Sequence, residues 1–379
     1  MSRKTGHFHL IAERGASLRF DFYCENRSGS TSFIFTPDTL YGRGLGGAEA
    51  SLVALTTELA KRGHSVHVWN SPASGAGVYD GVSYHDVEDF DCFETYDVFV
   101  CYRNPFVEFP FIQARVRAWW STDQVTCGDY ALDIKPFSQL NICISEYHRQ
   151  HHIKVYGFDP RNTIAIDLGV RVQDYQKRLL KTPNSLLYCS VPDRGLENLA
   201  RFFPAIRHIV PDATLHITSS YALWGEGIPD NNEHYIKLFR NMEGVTFHSR
   251  VPREKLVELQ LQSELMAYPN QPVGGHAELF GVSVAECQVA GCVPVTSAFG
   301  AFTTTVIQPE GILITADEEP IHPSDEDYGA RFILQCIELL FDRQELVRRQ
   351  TALSVKASSR FNWSNIASQW EQAIKKVYA

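Results

Sequence analysis

The stretch LMAYPNQPVGGHAELFGVSVAECQVAGCVPVTS, residues 265–297, predicts a strand, a loop, a helix and a second strand. Its first and last apolar runs, 265–270 and 293–297, are short and flanked by turn residues, which favours strands. The run between them, 280–291, has apolar side chains at helical spacing and ends at Gly291. A strand, a crossover helix and a second strand form the repeating unit of parallel sheets.

The same alternation extends in both directions from this stretch and breaks once. The break lies in a polar, proline-containing segment at 171–184. Two series of units predict an α/β fold with two Rossmann-like parallel-sheet domains that face a central cleft, residues 1–175 and 176–360. The predicted strands are 17–25, 64–70, 96–102, 114–121, 139–145, 184–190, 213–220 and 244–250 besides those above, and the predicted helices are 47–63, 195–210 and 253–264.

Composition excludes several classes of protein. The chain has 379 residues and a formal net charge of −9, which argues against a protein that coats nucleic acid. Nine cysteines without a CxxC pair indicate reduced, buried thiols rather than a disulfide framework. No apolar run approaches the roughly 18 residues of a membrane span, and the N-terminus lacks the apolar core of a signal peptide. We expect a cytoplasmic protein, with peripheral contact at the inner membrane face left open.

Four loops between a predicted strand and helix are candidate ligand sites, because ligands of open parallel sheets bind beyond the carboxyl ends of strands. The first is YGRGLGGAEAS, 41–51, where Gly46 and Gly47 open a helix whose N-terminus attracts anions. It is not the dinucleotide fingerprint, and a plain flexible turn is the alternative. The second is SVPDRGLENL, 190–199. Arg194 there precedes a helix start and can bind an anion, although a solvated arginine is equally compatible with the spacing.

The third and fourth loops carry carboxylates and hydroxyls. Glu278 precedes the helix of the opening stretch, and Glu286 lies in that helix beside its apolar face, where a glutamate needs partners. Carboxylates accept hydrogen bonds from vicinal hydroxyls, such as those of sugars and ribose. In SAFGAFTTTV, 297–306, Gly300 gives backbone room and Thr303 offers a hydroxyl near a helix start, which suits a pyrophosphate. The alternative for Glu278 is a charge that complements the helix dipole.

The two glutamates, separated by seven residues in ELFGVSVAE, resemble the E-x7-E signature of retaining glycosyltransferases of the GT-B fold, family 4 in particular. The resemblance covers nearly the whole chain and rests on five segments in the right order. The other four are 44–69 (glycine loop, helix and GH-x-V strand), 163–170 (entry to the interdomain hinge), 194–217 (first unit of the nucleotide domain) and 361–378 (closing helices).

The resemblance implies a role for each candidate residue. Glu286 would hold the donor's ribose hydroxyls and Glu278 those of the transferred sugar. Gly46, Gly47, Arg194 and the backbone at Gly300 to Thr303 would bind the sugar diphosphate. Asp123 would contact the acceptor or donor sugar. The closing helix, 361–379, would cross back to the N-terminal, acceptor-side domain. The implied donor is a UDP- or GDP-sugar, with no other cofactor and no metal, since no DxD pair follows a strand.

Three positions depart from the family pattern. Ser190 replaces a basic residue that often accompanies the one at Arg194, Thr122 replaces a histidine before Asp123, and Thr304 and Thr305 stand where an acid is frequent.

Other candidates have plainer interpretations. The histidines of HRQHH, 148–152, predict a solvated helix end rather than a zinc site. Trp119 and Trp120 are expected in the core rather than as a sugar platform, and His276 is a further candidate for lining the pocket.

The sequence predicts an enzyme that moves a hexosyl-type sugar from a nucleotide-diphosphate sugar to an acceptor hydroxyl with retention of configuration. The acceptor class stays open among carbohydrates, lipid-linked molecules and small molecules. Two alternatives remain: a catalytically weak or inactive partner subunit with the same fold, and a nucleotide-sugar epimerase, which would need no acceptor.

Overall fold

The computed structural model describes residues 17–24, 34–42, 45–72, 74–104, 108–125, 130–221 and 232–378. Two separate sheets divide this part of the chain between Ala165, which ends the last strand of the first sheet, and Ser185, which begins the second. The segment between them contains a 3₁₀ turn, Val172–Tyr175. Gly44 of the glycine cluster and Cys127 of the predicted thiols lie outside the described residues.

The first sheet has eight described strands in the order β3-β4-β2-β1-β5-β6-β7-β8, all parallel to their neighbours except β3, which is antiparallel to β4. Its strands are β1 Arg19–Tyr23, β2 Ser65–Asn70, β3 Gly77–Tyr79, β4 Val82–Asp86, β5 Thr95–Tyr102, β6 Gln113–Trp120, β7 Leu140–Cys143 and β8 Thr163–Ala165. Its helices are α1 Pro37–Gly42, α2 Gly47–Lys61 and α3 Glu146–Tyr156.

The second sheet has seven described strands in the order β11-β10-β9-β12-β13-β14-β15, parallel except for the short antiparallel β15. Its strands are β9 Ser185–Cys189, β10 Thr214–Thr218, β11 Val245–Phe247, β12 Leu265–Tyr268, β13 Val293–Ser297, β14 Ile312–Ala316 and β15 Glu319–Pro320. The helices are α4 Leu196–Ile209, α5 Glu233–Phe239, α6 Arg253–Gln262, α7 Val282–Val289, α8 Phe302–Thr305, α9 Glu326–Phe341, α10 Arg343–Arg360 and α11 Trp363–Tyr378.

The predicted parallel sheets are confirmed, and the burial of their strands explains why the sequence predicted them. Central strands of a parallel sheet are covered on both faces and therefore become continuous apolar runs. All residues of β9, β12 and β13 are buried. In α2, Leu52, Leu55 and Leu59 recur in the sequence at helical spacing, and all three are completely buried on one face of the helix. The β3–β4 hairpin and the helices α9 and α10 were not anticipated.

The strand order of the second sheet creates a switch point between β9 and β12. The chain leaves β9 toward β10 and β11, and then returns to the other side of β9 through β12. The loops that follow β9 and β12 therefore diverge from one another and leave a crevice at the carboxyl edge, where open α/β sheets bind ligands. Arg194 lies on the first of these loops and Glu278 on the second.

The last helix, α11, returns to the first sheet and packs against α2 and β6. The Trp370 ring lies 5.0 Å from that of Trp120 and 6.2 Å from that of Phe22, measured between centroids. Trp119 and Trp120 are both buried, so the expectation that they belong to the core is confirmed. None of the helices in the described ranges is long and apolar enough to span a bilayer.

Candidate functional site

A cleft of about 380 Å³ lies between the carboxyl edges of the two sheets. The first sheet contributes the start of α2 and the loop after β6, and the second contributes the loops after β9 and β12. Four of the predicted site residues line it, and so does His276. The lining residues are Gly47, Ala48, Thr122, Asp123, Gln124, Val125, Ile144, Leu168, Arg194 and the segment 276–282.

Arg194 and Glu278 face each other across the switch point of the second sheet. Nη1 of Arg194 lies 3.7 Å from Oε2 of Glu278, too long for a hydrogen bond, and this buried nitrogen has no hydrogen-bond partner among the described residues. Within the described part of the chain, Arg194 is the one arginine or lysine that lines the cleft. An unsatisfied guanidinium N–H at a ligand cleft is available to an anionic oxygen.

The two loops are held together behind Arg194. Gln271 donates through Nε2 to the backbone carbonyl of Asp193 at 2.9 Å and accepts at Oε1 from Asn198 at 3.0 Å. Gly195 has φ +127°, and a Cβ there would lie 2.1 Å from the carbonyl oxygen of Pro269. The loops after β9 and β12 therefore pack backbone to backbone, which fixes Arg194 relative to Glu278. Burial raises the pKa of the Asp193 carboxyl, although the charge of Arg194 acts in the opposite direction.

Gly300 supports the Glu278 loop from the next loop of the sheet. Its φ is +61°, and a Cβ there would lie 2.5 Å from the backbone oxygen of Glu278. That same oxygen accepts from the backbone N–H of Ala301 at 2.8 Å. The Thr303 hydroxyl is exposed and donates to the carbonyl of Gly300 at 3.0 Å. Neither Gly300 nor Thr303 lines the cleft. This loop therefore affects the cleft by holding the backbone of Glu278 in place.

Gly46 and Gly47 begin α2 on the opposite wall. Gly46 occupies the position before the first helical residue, and Gly47 lines the cleft. A Cβ at Gly47 would lie 3.3 Å from Cγ2 of Val282, the first residue of α7. The N-termini of α2 and α7, one from each side of the cleft, therefore meet here. Free backbone N–H groups and positive helix dipoles favour an anion at such a place.

Glu286 lies in α7 below the cleft and does not line it. Its carboxylate is nearly buried and has two protein partners: Nη1 of Arg253 at 2.5 Å and Nε2 of Gln260 at 3.2 Å. The prediction that Glu286 has polar partners is confirmed, but the sequence did not indicate which residues they are. Arg253 and Gln260 lie on α6, so the missing signal was a contact between consecutive helices.

Asp123 lines the first-sheet wall and is fixed by Arg103. Nε and Nη2 of Arg103 donate to the two carboxylate oxygens of Asp123 at 2.6 and 2.9 Å, and Nη1 donates to Glu49 at 2.8 Å. Burial opposes the charge on Arg103, but Asp123, Tyr102 and Glu49 together outweigh it, and the pKa of Arg103 is raised. Sequence reasoning missed Arg103 and Glu49. Arg103 directly follows the apolar run of β5, which is the position where ligand-site residues are found.

The histidines of 148–152 correct the prediction of a solvated helix end. His148 and His152 are completely buried on the face of α3 that packs behind Asp123. Nε2 of His148 lies 2.9 Å from the carbonyl oxygen of Asp123, and the Ser121 hydroxyl lies 3.2 Å from Nε2 of His152. Burial lowers the pKa of His148 to about 4 and that of His152 to about 2, so both rings are neutral near pH 7. The i, i+4 spacing of the two residues was the available signal.

The three departures from the family pattern lie at distinct places. The Ser190 hydroxyl is 2.8 Å from that of Tyr268, on the strand next to β9. Thr122 lines the cleft beside Asp123. Thr305 is buried, and the hydroxyl of Thr304 donates to Ala301 at 3.0 Å. Within the described ranges, no group of three His, Cys, Asp or Glu side chains is arranged to hold a metal ion.

No protein-family model matches this sequence, and no curated protein matches it. Solved structures do resemble it. A glycosyltransferase from Rickettsia africae has a TM-score of 0.70 at 11% identity, over 95% of this chain and 98% of that one. Sucrose-phosphate synthase from Thermosynechococcus elongatus has a TM-score of 0.67 at 14% identity, over 95% and 99%. HepE from Anabaena, in complex with UDP and glucose, has a TM-score of 0.63 at 16% identity, over 95% and 100%.

These structural neighbours are glycosyltransferases of the GT-B type, and the resemblance extends over nearly the whole chain. The prediction of a GT-B fold with two Rossmann-like sheets is therefore confirmed. At such low sequence identity, the likeness establishes the fold.

Proposed function

We propose that this chain is a glycosyltransferase that moves a sugar from a nucleotide-diphosphate sugar to an acceptor hydroxyl with retention of anomeric configuration. The observation that carries the proposal is the ion pair of Arg194 and Glu278 at the switch point, in which the buried guanidinium nitrogen Nη1 has no hydrogen-bond partner among the described residues. UDP- and GDP-sugars are the proposed donors. The neighbouring HepE structure, which contains UDP and glucose, supports a donor of this class.

Charge supplies the physical reason for Arg194. Cleavage of a glycosyl–phosphate bond leaves negative charge on the diphosphate, and a fixed positive group beside the leaving oxygen lowers the barrier. Arg194 would provide that charge, and the N-terminus of α2 at Gly46 and Gly47 would provide backbone donors from the other wall. The backbone at Gly300 to Thr303 is the third proposed part of this site, and because it does not line the cleft it would act on the diphosphate through the position of the Glu278 loop. In this proposal, Arg194 and the N-terminus of α2 stabilise the charge of the diphosphate without a metal ion.

Glu278 and Asp123 are the proposed sugar-binding carboxylates. Glu278 lies beside Arg194, where it would accept hydrogen bonds from hydroxyls of the transferred sugar. Asp123 lies on the first-sheet wall, opposite the donor loops, and there it would contact the acceptor. Its carboxylate is already oriented by Arg103, so an acceptor hydroxyl would meet a preorganised group.

Donor turnover tests the proposal. The protein is incubated with UDP- and GDP-sugars, with and without candidate acceptors, and release of UDP or GDP is measured. We expect nucleoside diphosphate release that depends on one donor and is strongly reduced in Arg194→Ala. A changed sugar still attached to its nucleotide would instead identify an epimerase. Binding without turnover of any donor would identify an inactive partner subunit.

The stereochemical part of the proposal has a separate readout. Glycosyltransferases can transfer their sugar slowly to water, and the first-formed anomer of the free sugar is visible by proton NMR before it mutarotates. Retention predicts that an α-linked donor gives the α-anomer first. Appearance of the β-anomer first would contradict retention while leaving glycosyl transfer intact.

A further inference from the structure

The surroundings of Glu286 contain a closed ring of hydrogen bonds. Arg253 donates to Oε1 of Glu286 at 2.5 Å, and Gln260 donates to Oε2 at 3.2 Å. Tyr175 completes the ring, because its hydroxyl accepts from Nη2 of Arg253 at 3.2 Å and donates to Oε1 of Gln260 at 2.7 Å. Each of the four side chains has two partners in the ring, so the orientation of the Glu286 carboxylate is fixed from two directions.

The ring is anchored to the segment between the two sheets. Tyr175 ends the 3₁₀ turn Val172–Tyr175. Nε of Arg253 also donates to Oδ2 of Asp174 in the same turn at 3.3 Å. Burial opposes the charge on Arg253, but Glu286, Tyr175 and Asp174 outweigh it, and the pKa of the guanidinium is raised. Arg253 thus stays charged and joins Glu286 to the linker.

The chemistry of the carboxylate leaves room for a ligand. Each ionised carboxylate oxygen has about two acceptor positions. The protein uses one on each oxygen of Glu286, through Arg253 and Gln260. One position remains on each oxygen, which suits a pair of vicinal hydroxyls. Arg253 also neutralises Glu286, so this carboxylate does not repel a diphosphate bound nearby.

We propose that Arg253 is a positioning residue for donor binding, which orients Glu286 toward the two ribose hydroxyls and couples that contact to the linker through Asp174 and Tyr175. This inference rests on the proposed function, in which Glu286 binds ribose. It predicts that Arg253, which need not touch the nucleotide, sets the preference for ribose over 2′-deoxyribose.

Paired nucleotides test the proposal by calorimetry. The probes are UDP with 2′-deoxy-UDP, and GDP with 2′-deoxy-GDP, titrated into the full-length protein. A charge-assisted hydrogen bond to the 2′-hydroxyl predicts about tenfold or greater preference for the ribonucleotide in the unchanged protein. In Arg253→Met we expect that preference to fall below about threefold, chiefly through weaker ribonucleotide binding. Arg253→Lys should restore part of it, because the charge survives without the planar fork.

Two further variants separate positioning from loss of stability. Tyr175→Phe keeps the ring packing but removes the hydroxyl between Arg253 and Gln260, so it should give an intermediate preference even if Arg253→Met folds poorly. Arg343→Met is the matched control. Arg343 pairs with the buried carboxylate of Glu264 in the same domain and does not line the cleft. Arg343→Met should leave the ribose preference unchanged. The preference is the ratio of two affinities measured on the same variant, so a loss of stability alone does not change it.

The outcomes distinguish this inference from the proposed function. Retention of the full ribose preference in Arg253→Met and Tyr175→Phe would overturn the role of Arg253 and leave nucleotide-sugar binding intact. If the unchanged protein shows no preference for ribose, Glu286 does not bind the ribose hydroxyls. The inference that Arg253 positions Glu286 for that contact would then be overturned. Failure of the unchanged protein to bind any of these nucleotides would overturn both proposals.

Discussion

At the residue scale, the charged side chains in and around the cleft differ in whether the protein already supplies their hydrogen-bond partners. Most charged groups near the cleft are already paired: Asp123 with Arg103, and Glu286 with Arg253. Arg194 differs, because its Nη1 is buried without a hydrogen-bond partner among the described residues. A buried donor without a hydrogen bond is costly to keep, so a ligand that accepts from it gains more than a solvated contact would give.

Arg194 is the residue whose loss should affect chemistry more than binding. The charge on the leaving diphosphate grows during cleavage, so Arg194→Ala should lower turnover by ~10²–10³ with a smaller effect on the donor's Michaelis constant. Arg194→Lys should recover part of the rate. Steady-state kinetics with the active donor measures both. Turnover near the unchanged rate in Arg194→Ala would place the diphosphate elsewhere.

Gly300 should matter through the position of Glu278. In Gly300→Ala the new Cβ would collide with the backbone oxygen of Glu278, so the loop must move. A displacement of about 1 Å near the reacting atoms can cost on the order of 10²-fold in kcat/KM.

Gly63→Ala is the control for Gly300→Ala. Gly63 also has a positive φ, +92°, but its Cβ would meet open space. Both variants should lose roughly 1–2 kcal/mol of unfolding free energy from backbone strain, and Gly300→Ala should lose more, because its Cβ would also collide with the backbone of Glu278. Only Gly300→Ala should lose activity, and equal kinetics in the two variants would contradict the contact with Glu278.

At the element scale, α3 is the support behind Asp123. It places His148 and His152 on one buried face, four residues apart, against Ser121 and the backbone of Asp123. The rings are held neutral by burial, and they replace water as the polar partners of a buried loop. This explains how histidines that look solvated in the sequence are stable in the core.

The buried histidines should make stability fall at acid pH. Their folded pKa values, about 4 and about 2, lie below the roughly 6.5 of an unfolded histidine. The unfolded chain therefore binds protons first, and stability present above pH 6.5 is lost as pH falls. From pH 7 to pH 5, each ring should cost about 2 kcal/mol of unfolding free energy.

Urea unfolding of His152→Leu at pH 7 and pH 5 measures this effect. The loss of unfolding free energy between the two pH values should be about 2 kcal/mol smaller in the variant than in the unchanged protein. Trp119→Phe perturbs the same cluster, since its ring lies 5.2 Å from that of His152, but it removes no titrating group. Its pH dependence should match the unchanged protein. An unchanged pH dependence in His152→Leu would argue against a neutral, buried ring.

At the scale of the whole molecule, the C-terminal segment connects the two sheets. Arg360, at the end of α10, donates to Asp167 in the segment after β8 at 2.8 Å and to the carbonyl of Thr304 at 2.8 Å. Trp363 packs so closely on Gly169 that a Cβ there would lie 2.3 Å from its ring. The chain then continues as α11 along the first sheet. Residues distant in sequence thereby determine the geometry on both sides of the cleft.

Loss of the Trp370 ring should destabilise the first sheet although the residue belongs to the last helix. Trp370→Ala removes a buried ring from its contacts with Trp120 and Phe22, which should cost about 3–5 kcal/mol of unfolding free energy. Urea unfolding followed by tryptophan fluorescence measures the loss. Val355→Ala, at an exposed position of α10, should stay within about 0.5 kcal/mol. Equal stability of the two variants would show that α11 does not hold the first sheet.

The sequence by itself determined the two parallel sheets and the loops that carry Arg194, Glu278 and Asp123. These features depend on local patterns: apolar runs of strand length, helical spacing, and turn residues at their ends. Because parallel strands align their carboxyl ends, a residue's place after a strand predicts the edge at which it lies. The structure brings those three residues and Gly47 to one cleft.

Only the tertiary structure decided which side chains satisfy one another. Arg103 pairs with Asp123 and with Glu49, Arg253 with Glu286, and His148 with the backbone of Asp123, across separations of 20, 54, 33 and 25 residues. Hydrophobic periodicity gives no information about pairs so far apart in sequence. It indicates which face of a helix or strand is buried, but not which residues pack against that face. The packing of one element against another determines which side chains become neighbours. A charged group buried there is stable only when a polar or oppositely charged group lies beside it.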